Sequence, residues 1–322
     1  MIAYVVRRLL LMIPLLLGVT FLTFAIINLI PGSPVTQLRA NPKFRPEDAA
    51  RLERQLGLDR PWPERYVEWL GELARGDLGV SMHNEVPVAG RILDVLPNTL
   101  LLTISSLALA LLVAVPLGIY AADRYRTWFD HSASLAAVVM YAMPTFYLAL
   151  LMVILFALKF REWGLPSLPV GGMTSPRDGG GFIDRAQHLV LPTLSLALIQ
   201  IGGWSAYIRS QMLETLGQDF VRTARAKGLA HRSVIYRHAA RNAFLPLVTL
   251  VGLSLPGLFG GALIIENIFA WPGMGRLTIE AVGRRDYTMV MGTTLLFAAL
   301  TMISNLVADV MYGILDPRVR YD

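Results

Sequence analysis

Long unbroken runs of apolar residues alternate along this chain with shorter polar stretches, and the runs set its organisation. A helix needs about 20 apolar residues to cross the hydrocarbon core of a bilayer. The pattern predicts six such spans, at about Leu9–Ile30, Thr99–Ala122, Ser132–Leu158, Leu189–Ile208, Ala243–Ile265 and Thr288–Tyr312. The first follows Arg7 and Arg8, as a signal peptide would, but a cleaved signal has an apolar region of only about 7 to 15 residues that ends at small residues. This run is longer and ends in Ile30, Pro31 and Gly32, so residues 1–30 read as a retained helix with its N-terminus in the cytoplasm.

The stretches between the spans differ in kind. Residues 31–95 carry charges of both signs, an amphipathic helical pattern from Glu47 to Leu56 and then Trp62, Tyr66 and Trp69, which predicts a small folded element outside the membrane. Residues 159–188 are rich in Gly and Pro and read as an irregular external loop. Pro144 falls within the third span as a hinge, tolerable because neighbouring helices can satisfy the freed carbonyl. Residues 209–241 are basic, and residues 314–322 form a short tail. Translocation of a segment as long as 31–95 is insensitive to its charge. With that segment set aside, the loops on the side of the N-terminus hold 13 Arg and Lys against 7 on the other. The bias places both termini and the 209–241 loop in the cytoplasm.

Composition narrows the class. A hydrophobic fraction of 54% with 16% charged residues is more apolar than soluble domains show, so this is an integral membrane protein. The net charge of +6 does not point to nucleic acid, because the basic residues are scattered through loops rather than gathered on one soluble domain. The absence of cysteine excludes disulfides, thiolate metal sites and cysteine nucleophiles. Catalysis finds little support. None of Lys43, Lys159 and Lys227 follows a glycine, so there is no phosphate loop, and no HExxH occurs among the five histidines. Ser195, Ser254 and Ser304 lie in spans, where small residues serve helix packing. Asp309 is the only ionisable residue well inside a span; it is either functional or close enough to the inner interface to pair there. Without a buried charge array a proton-driven or ion-driven pump has little to work with, and a passive channel stays open as a reading.

The basic loop holds the most informative stretch, DFVRTARAKG: Asp219, Phe220, Val221, Arg222, Thr223, Ala224, Arg225, Ala226, Lys227 and Gly228. Asp219 can cap a short helix beginning at Phe220, and Gly228 can end it in a left-handed turn. Phe220, Ala224 and Gly228 recur every four residues on one face with Val221 beside them, while Arg222 and Arg225 share another flank. Such a helix fits a groove of a partner through one aromatic on a small-residue surface. Read by charge alone, the same loop is a solvated segment held by anionic lipid.

RTARAKGL followed by RHAARNAFLP resembles the cytoplasmic EAA loop of binding-protein-dependent ABC importer permeases. The form is that of the dipeptide, oligopeptide and nickel branch, with Arg222 in place of the glutamate and a longer gap from Gly228 to Leu245 and Pro246. GDLGVS (Gly76–Ser81) and ENIFAWPGMGRL (Glu266–Leu277) resemble further phrases of the same permeases. The resemblance implies an all-α type I ABC importer permease with six transmembrane helices, a core at residues 96–313 and a small external element after the first helix. It implies that Asp219 to Gly228 dock on an ATPase, and that Glu266, Phe269, Pro272, Gly273 and Gly275 serve a binding-protein contact or an outer gate. The implied partners are a second homologous permease, two ABC ATPases, an extracytoplasmic substrate-binding protein and the lipid of the cell inner membrane. ATP and Mg would be bound by the ATPases, with no cofactor, metal or catalytic residue in this chain. Di- or oligopeptides are the implied cargo, with nickel complexes, glutathione or oligosaccharides as alternatives within the family.

Overall fold

The protein, seen here in a computed structural model, is helical. The structure describes residues 2–32, 35, 46–55, 57–175 and 180–315; among them no strand occurs, only one isolated antiparallel bridge between Val80 and Pro87. The chain divides into two compact units, Ile2–Thr99 with Pro272–Ile303, and Leu100–Trp271 with Ser304–Asp322.

In the first unit, helix α1 (Ile2–Leu29) is almost wholly apolar and leaves side chains such as Leu10, Leu22 and Leu29 exposed, as a lipid-facing helix does. The segment between the first two spans contributes α2 (Pro46–Gln55) and α3 (Trp62–Leu73); Leu56, expected to end α2, lies outside the described residues. The aromatics of α3 are its anchor. Tyr66 and Trp69 are buried, the Tyr66 hydroxyl lies 3.1 Å from Thr20 Oγ1, and the Phe21 and Phe24 rings sit 5.5 Å from the Tyr66 ring. Such ring pairs contribute about 0.5–1.5 kcal/mol each beyond their area burial. Arg65 donates to Asn28 Oδ1 at 3.0 Å, and its guanidinium lies over Phe24 and Tyr287 at 5.7 and 6.0 Å. Burial holds the Arg65 pKa below its ordinary value. Asp286 joins two segments of the unit by accepting from Ser81 Oγ, from the Met82 N–H at 3.1 Å and from the Met289 N–H at 3.1 Å.

Helix α4 (Val88–Asp123) contributes to both units and starts eleven residues before the apolar run does. Arg91 and Asp94 end the run without ending the helix, since Val88, Ile92 and Val95 between them are buried against Met274, Ala281, Met289 and Val290. In the second unit, α5 (Trp128–Ala142) and α6 (Thr145–Glu162) replace the single third span and meet at 108°. Pro144 has no N–H to offer and pushes Met143 into an extended conformation with ψ 135. The expected hinge is therefore a full break, and α6 is π-helical from Val153 to Lys159. Helix α7 (Phe182–Leu216) is the longest rod of this unit, and Asp184, Arg185 and His188 belong to its first turns rather than to the loop. Ile201, Trp204, Ile208 and Met212 recur along one face of α7 and pack against Ala110 and Ala114 of α4. At Gly202 the α5 backbone comes so close that a Cβ would stand 2.6 Å from the Ala137 carbonyl.

Beyond α7 come α8 (Asp219–Ala226), then α9, made of His231–Ser233, a π-helical Val234–Ala239 and Ala240–Ala243. They are followed by α10 (Leu245–Ile268), α11 (Met274–Arg284) and α12 (Tyr287–Leu315). Among the described residues five helices are long and apolar enough to cross a membrane, and α5 with α6 make a sixth span if the bent pair is counted as one. Asp309 is half-buried on α12 and engaged in an interaction. Residues 316–322 of the expected tail lie outside the described residues.

Candidate functional site

The stretch from Asp219 to Gly228 folds as the short helix its composition predicts, with two corrections. Gln218, extended at ψ 154, holds the N-cap position without a side-chain bond, and Asp219 is already the first helical residue. An acid there still complements the positive end of the helix. Gly228 closes the helix as expected: its φ is +71, its N–H donates to Arg225 O at 3.0 Å, and the Leu229 N–H reaches Ala224 O at 3.4 Å. That pair of bonds is the Schellman ending, in which a left-handed residue is cheapest as glycine.

The second correction concerns which face is free. Val221 is fully buried and Ala224 nearly so, packed with Val234 of α9 and Leu216 at the end of α7. The small-residue face therefore seats α8 on its own chain. In a helix of eight residues a spacing of four and one of three are hard to separate, and Val234, ten residues downstream, decides the matter. Phe220, Arg222, Thr223, Arg225, Ala226 and Lys227 remain exposed, as does Gly228. Phe220 is 37% exposed and adjoins the basic cluster. The Asp219–Arg222 pair at 3.4 Å is solvated on both sides and contributes little.

Two side-chain contacts unforeseen from the sequence occur in the same unit. His231 Nε2 at the start of α9 is 2.7 Å from Asp123 Oδ1 at the end of α4. Asp130 on α5 is buried and accepts from both Nε and Nη2 of Arg209 on α7, the latter at 2.8 Å, and from the Arg126 N–H at 3.0 Å. The partners are 108 and 79 residues apart, a separation at which pattern carries no signal. Between the His231–Asp123 contact and α8 lies a cavity of about 480 Å³ whose lining includes Asp123, Tyr125, Leu216, Arg225 and His231.

The Glu266–Leu277 phrase is divided between the two units. In one, Glu266 and Phe269 are buried, and the Trp271 N–H closes the end of α10 on Glu266 O at 2.8 Å. In the other, Pro272 O accepts from Asn98 Nδ2 and the Met274 N–H donates to Thr99 Oγ1, both at 2.8 Å. Gly273 and Gly275 are buried as well, and only Pro272 is half-exposed. Of the five residues expected at a binding-protein contact or an outer gate, Glu266, Phe269, Gly273 and Gly275 are therefore packed within the chain and Pro272 is partly open. Among the described residues no group of three or more His, Asp or Glu is placed to hold a metal ion.

Comparison with known proteins agrees with this architecture. The family model of the binding-protein-dependent transport system inner membrane component matches residues 114–321, and the model of its N-terminal part matches residues 1–103. The chain is 38% identical over 322 residues to the oligopeptide transport system permease protein AppB of Bacillus subtilis, covering all of both chains. It is 38% identical over 342 residues to the dipeptide transport system permease protein DppB of Escherichia coli strain K12, covering 100% of this chain and 99% of that one. A putative peptide permease protein of Brucella suis biovar 1 is 41% identical over 323 residues, covering 99% of each. Among solved structures, the inward-facing MetNI methionine ABC transporter is similar in fold, with a TM-score of 0.55 at 14% identity over 70% of this chain and 96% of that chain. Helical spans, a short helix seated on the end of a long rod, and full-length matches of this strength lead to one conclusion: the chain belongs to the family of binding-protein-dependent transport system inner membrane components, the permease subunits of such importers, and has the type I permease fold.

Proposed function

We propose that this permease takes up di- or oligopeptides and is driven by ATPase subunits that dock on α8. The observation that carries the docking site is the division of α8 into two faces. Val221 and Ala224 fix the helix to α7 and α9, and Phe220 with Arg222, Arg225 and Lys227 is left outward. An aromatic beside exposed cations on a short, pre-ordered helix has the make-up of a docking anchor. The cargo rests on the full-length relatives that are named for oligopeptide and dipeptide transport.

In the assembly we propose, this chain pairs with a second homologous permease, two ATPases hold ATP and Mg²⁺, and an extracytoplasmic protein delivers the peptide. The chain spans the inner membrane with both termini and α8 on the cytoplasmic side, and itself performs no chemistry. Closure of the ATPases would shift α8 and rock the spans about a central path. The test is uptake of peptides from a casein digest by cells carrying the complete transporter. Uptake that stops when the ATPase partner is inactivated supports the reading; uptake that continues identifies a passive channel and refutes it.

A further inference from the structure

Three helices of the second unit bring uncharged polar side chains to one hollow deep in the spans. Gln200, Trp204 and Tyr207 recur at helical spacing along α7, Leu250, Ser254 and Gly257 do so along α10, and Tyr141 stands at the end of α5. Together they line a cavity of about 490 Å³, within the range of sites that hold small ligands. Gln200 lies sixteen residues before the end of α7 at Leu216, about 24 Å along the axis at 1.5 Å per residue. Gln200 therefore stands near the middle of α7 and within the apolar run of about Leu189–Ile208.

The hydrogen bonding of these groups is uneven. The Ser254 hydroxyl donates to Leu250 O at 2.7 Å. The side chains of Tyr141, Gln200 and Tyr207 have no hydrogen-bond partner among the described residues. A primary amide and two phenols without partners are strongly disfavoured against hydrocarbon. The hollow holds no Asp, Glu, Lys or Arg, so an ion or a charged headgroup finds no counter-charge there.

We infer that this hollow is a wall of the water-filled transport path, and that Gln200, Tyr141 and Tyr207 hydrogen-bond the main-chain amides of the passing peptide. The inference rests on the permease reading above. Its chemistry suits cargo of varied sequence: an amide offers both donor and acceptor, a phenol can serve as either, and neither discriminates among peptide side chains. Without a fixed charge, the wall binds weakly enough for cargo to leave, which a path requires.

The natural lack of cysteine makes the test direct. Gln200→Cys and Tyr207→Cys are placed singly in the full transporter, its other subunits freed of accessible cysteines, with Leu112→Cys on the exposed apolar face of α4 as control. A cysteine thiolate, favoured where water reaches, attacks the sulfenyl sulfur of a charged methanethiosulfonate reagent, forming a mixed disulfide and releasing methanesulfinate. Both wall positions are expected to react at least about tenfold faster than the control and to be slowed by a casein digest with ATP, and Gln200→Ala is expected to lower uptake about fivefold for one lost hydrogen bond. If either wall variant fails to insert, Ser254→Cys on α10 replaces it. Normal uptake with wall cysteines no more reactive than Leu112→Cys overturns the wall and leaves the permease reading intact. Reaction that the digest does not slow overturns the peptide contact. A parent transporter showing no ATP-dependent uptake from the digest refutes the permease reading instead.

Discussion

Ala224→Leu is the sharpest test of how the docking helix is held. Val221 and Ala224 supply the buried contact of α8. At about 0.8 kcal/mol per buried CH₂ and about 1.5–2 kcal/mol for a fully buried valine, that contact holds the helix in place by roughly 2–3 kcal/mol. The seated state is then favoured over a lifted one by about thirtyfold or more. Leucine at 224 forces extra carbon atoms into a filled site, which costs about 1–3 kcal/mol. The strain has an easy outlet, because α8 is joined to its neighbours only through Gly217–Gln218 and Lys227–Ala230 and can swing out. The penalty therefore cancels most of the hold, and the lifted state becomes a substantial fraction of the population.

Limited trypsin digestion of the isolated permease reads this directly, since Arg222, Arg225 and Lys227 are cleavage sites on the helix itself. Cleavage of Ala224→Leu is expected to be about tenfold faster than that of the parent, in line with opening that precedes cutting. Thr223→Leu, which adds similar bulk to an exposed position, is expected to cut at the parental rate. If Ala224→Leu cuts no faster than Thr223→Leu yet loses the ATPase in copurification, Ala224 faces the partner and the packing reasoning is wrong.

Four further outcomes are expected. Arg209→Ala leaves the buried Asp130 carboxylate without its guanidinium and should lower stability in detergent by on the order of 3 kcal/mol, whereas Asp130→Asn, which keeps an acceptor for the Arg126 N–H, should cost less; equal thermal shifts would count against this. Gly202→Ala puts a methyl 2.6 Å from the Ala137 carbonyl, an atom that cannot turn aside, and should cost about 1–3 kcal/mol in the same thermal assay. Ala270→Gly should raise stability by up to about 1 kcal/mol, because Ala270 holds φ +47 at the end of α10. In intact cells an impermeant thiol reagent should label Ser175→Cys and spare Gln218→Cys, and the opposite pattern would reverse the topology.

The apolar runs made the spans legible because burial in lipid is a property of composition. Their ends were less so. Arg91 and Asp94 interrupt hydropathy, but they sit on the exposed side of α4 while Val88, Ile92 and Val95 keep the helix going. Pro144 announced a bend, since its missing N–H is a local fact; the 108° angle depends on what α5 and α6 pack against. In the site, Gly228 was readable because a left-handed turn is encoded in one residue. The seat of α8 was not, because it depends on Val234 arriving from α9. Asp130 and Arg209 are ordinary loop and span-end charges until the fold brings them together.

If α8 docks an ATPase as proposed, the second unit supplies a path for force. Helix α7 runs unbroken for 35 residues, about 52 Å at 1.5 Å per residue. Its end passes to α8 through a tight turn, with the Gly217 N–H on Glu214 O at 3.2 Å and the Gln218 N–H on Thr215 O at 3.1 Å. Val221 and Ala224 pack on Leu216, so while α8 is seated a push on Phe220 would bear on the end of α7. Arg209 hands part of that motion to α5 through Asp130, and His231 ties the start of α9 to Asp123 at the end of α4. On the proposed reading, a displacement of α8 reaches Gln200 on the same rod and Tyr141 at the far end of α5, so the two sides of the hollow would move with the helix that the ATPase grips. A lipid anchor would need no such linkage. Binding by charge requires only exposed arginines, whereas this loop spends its apolar residues on fastening one short helix to the rod that lines the path.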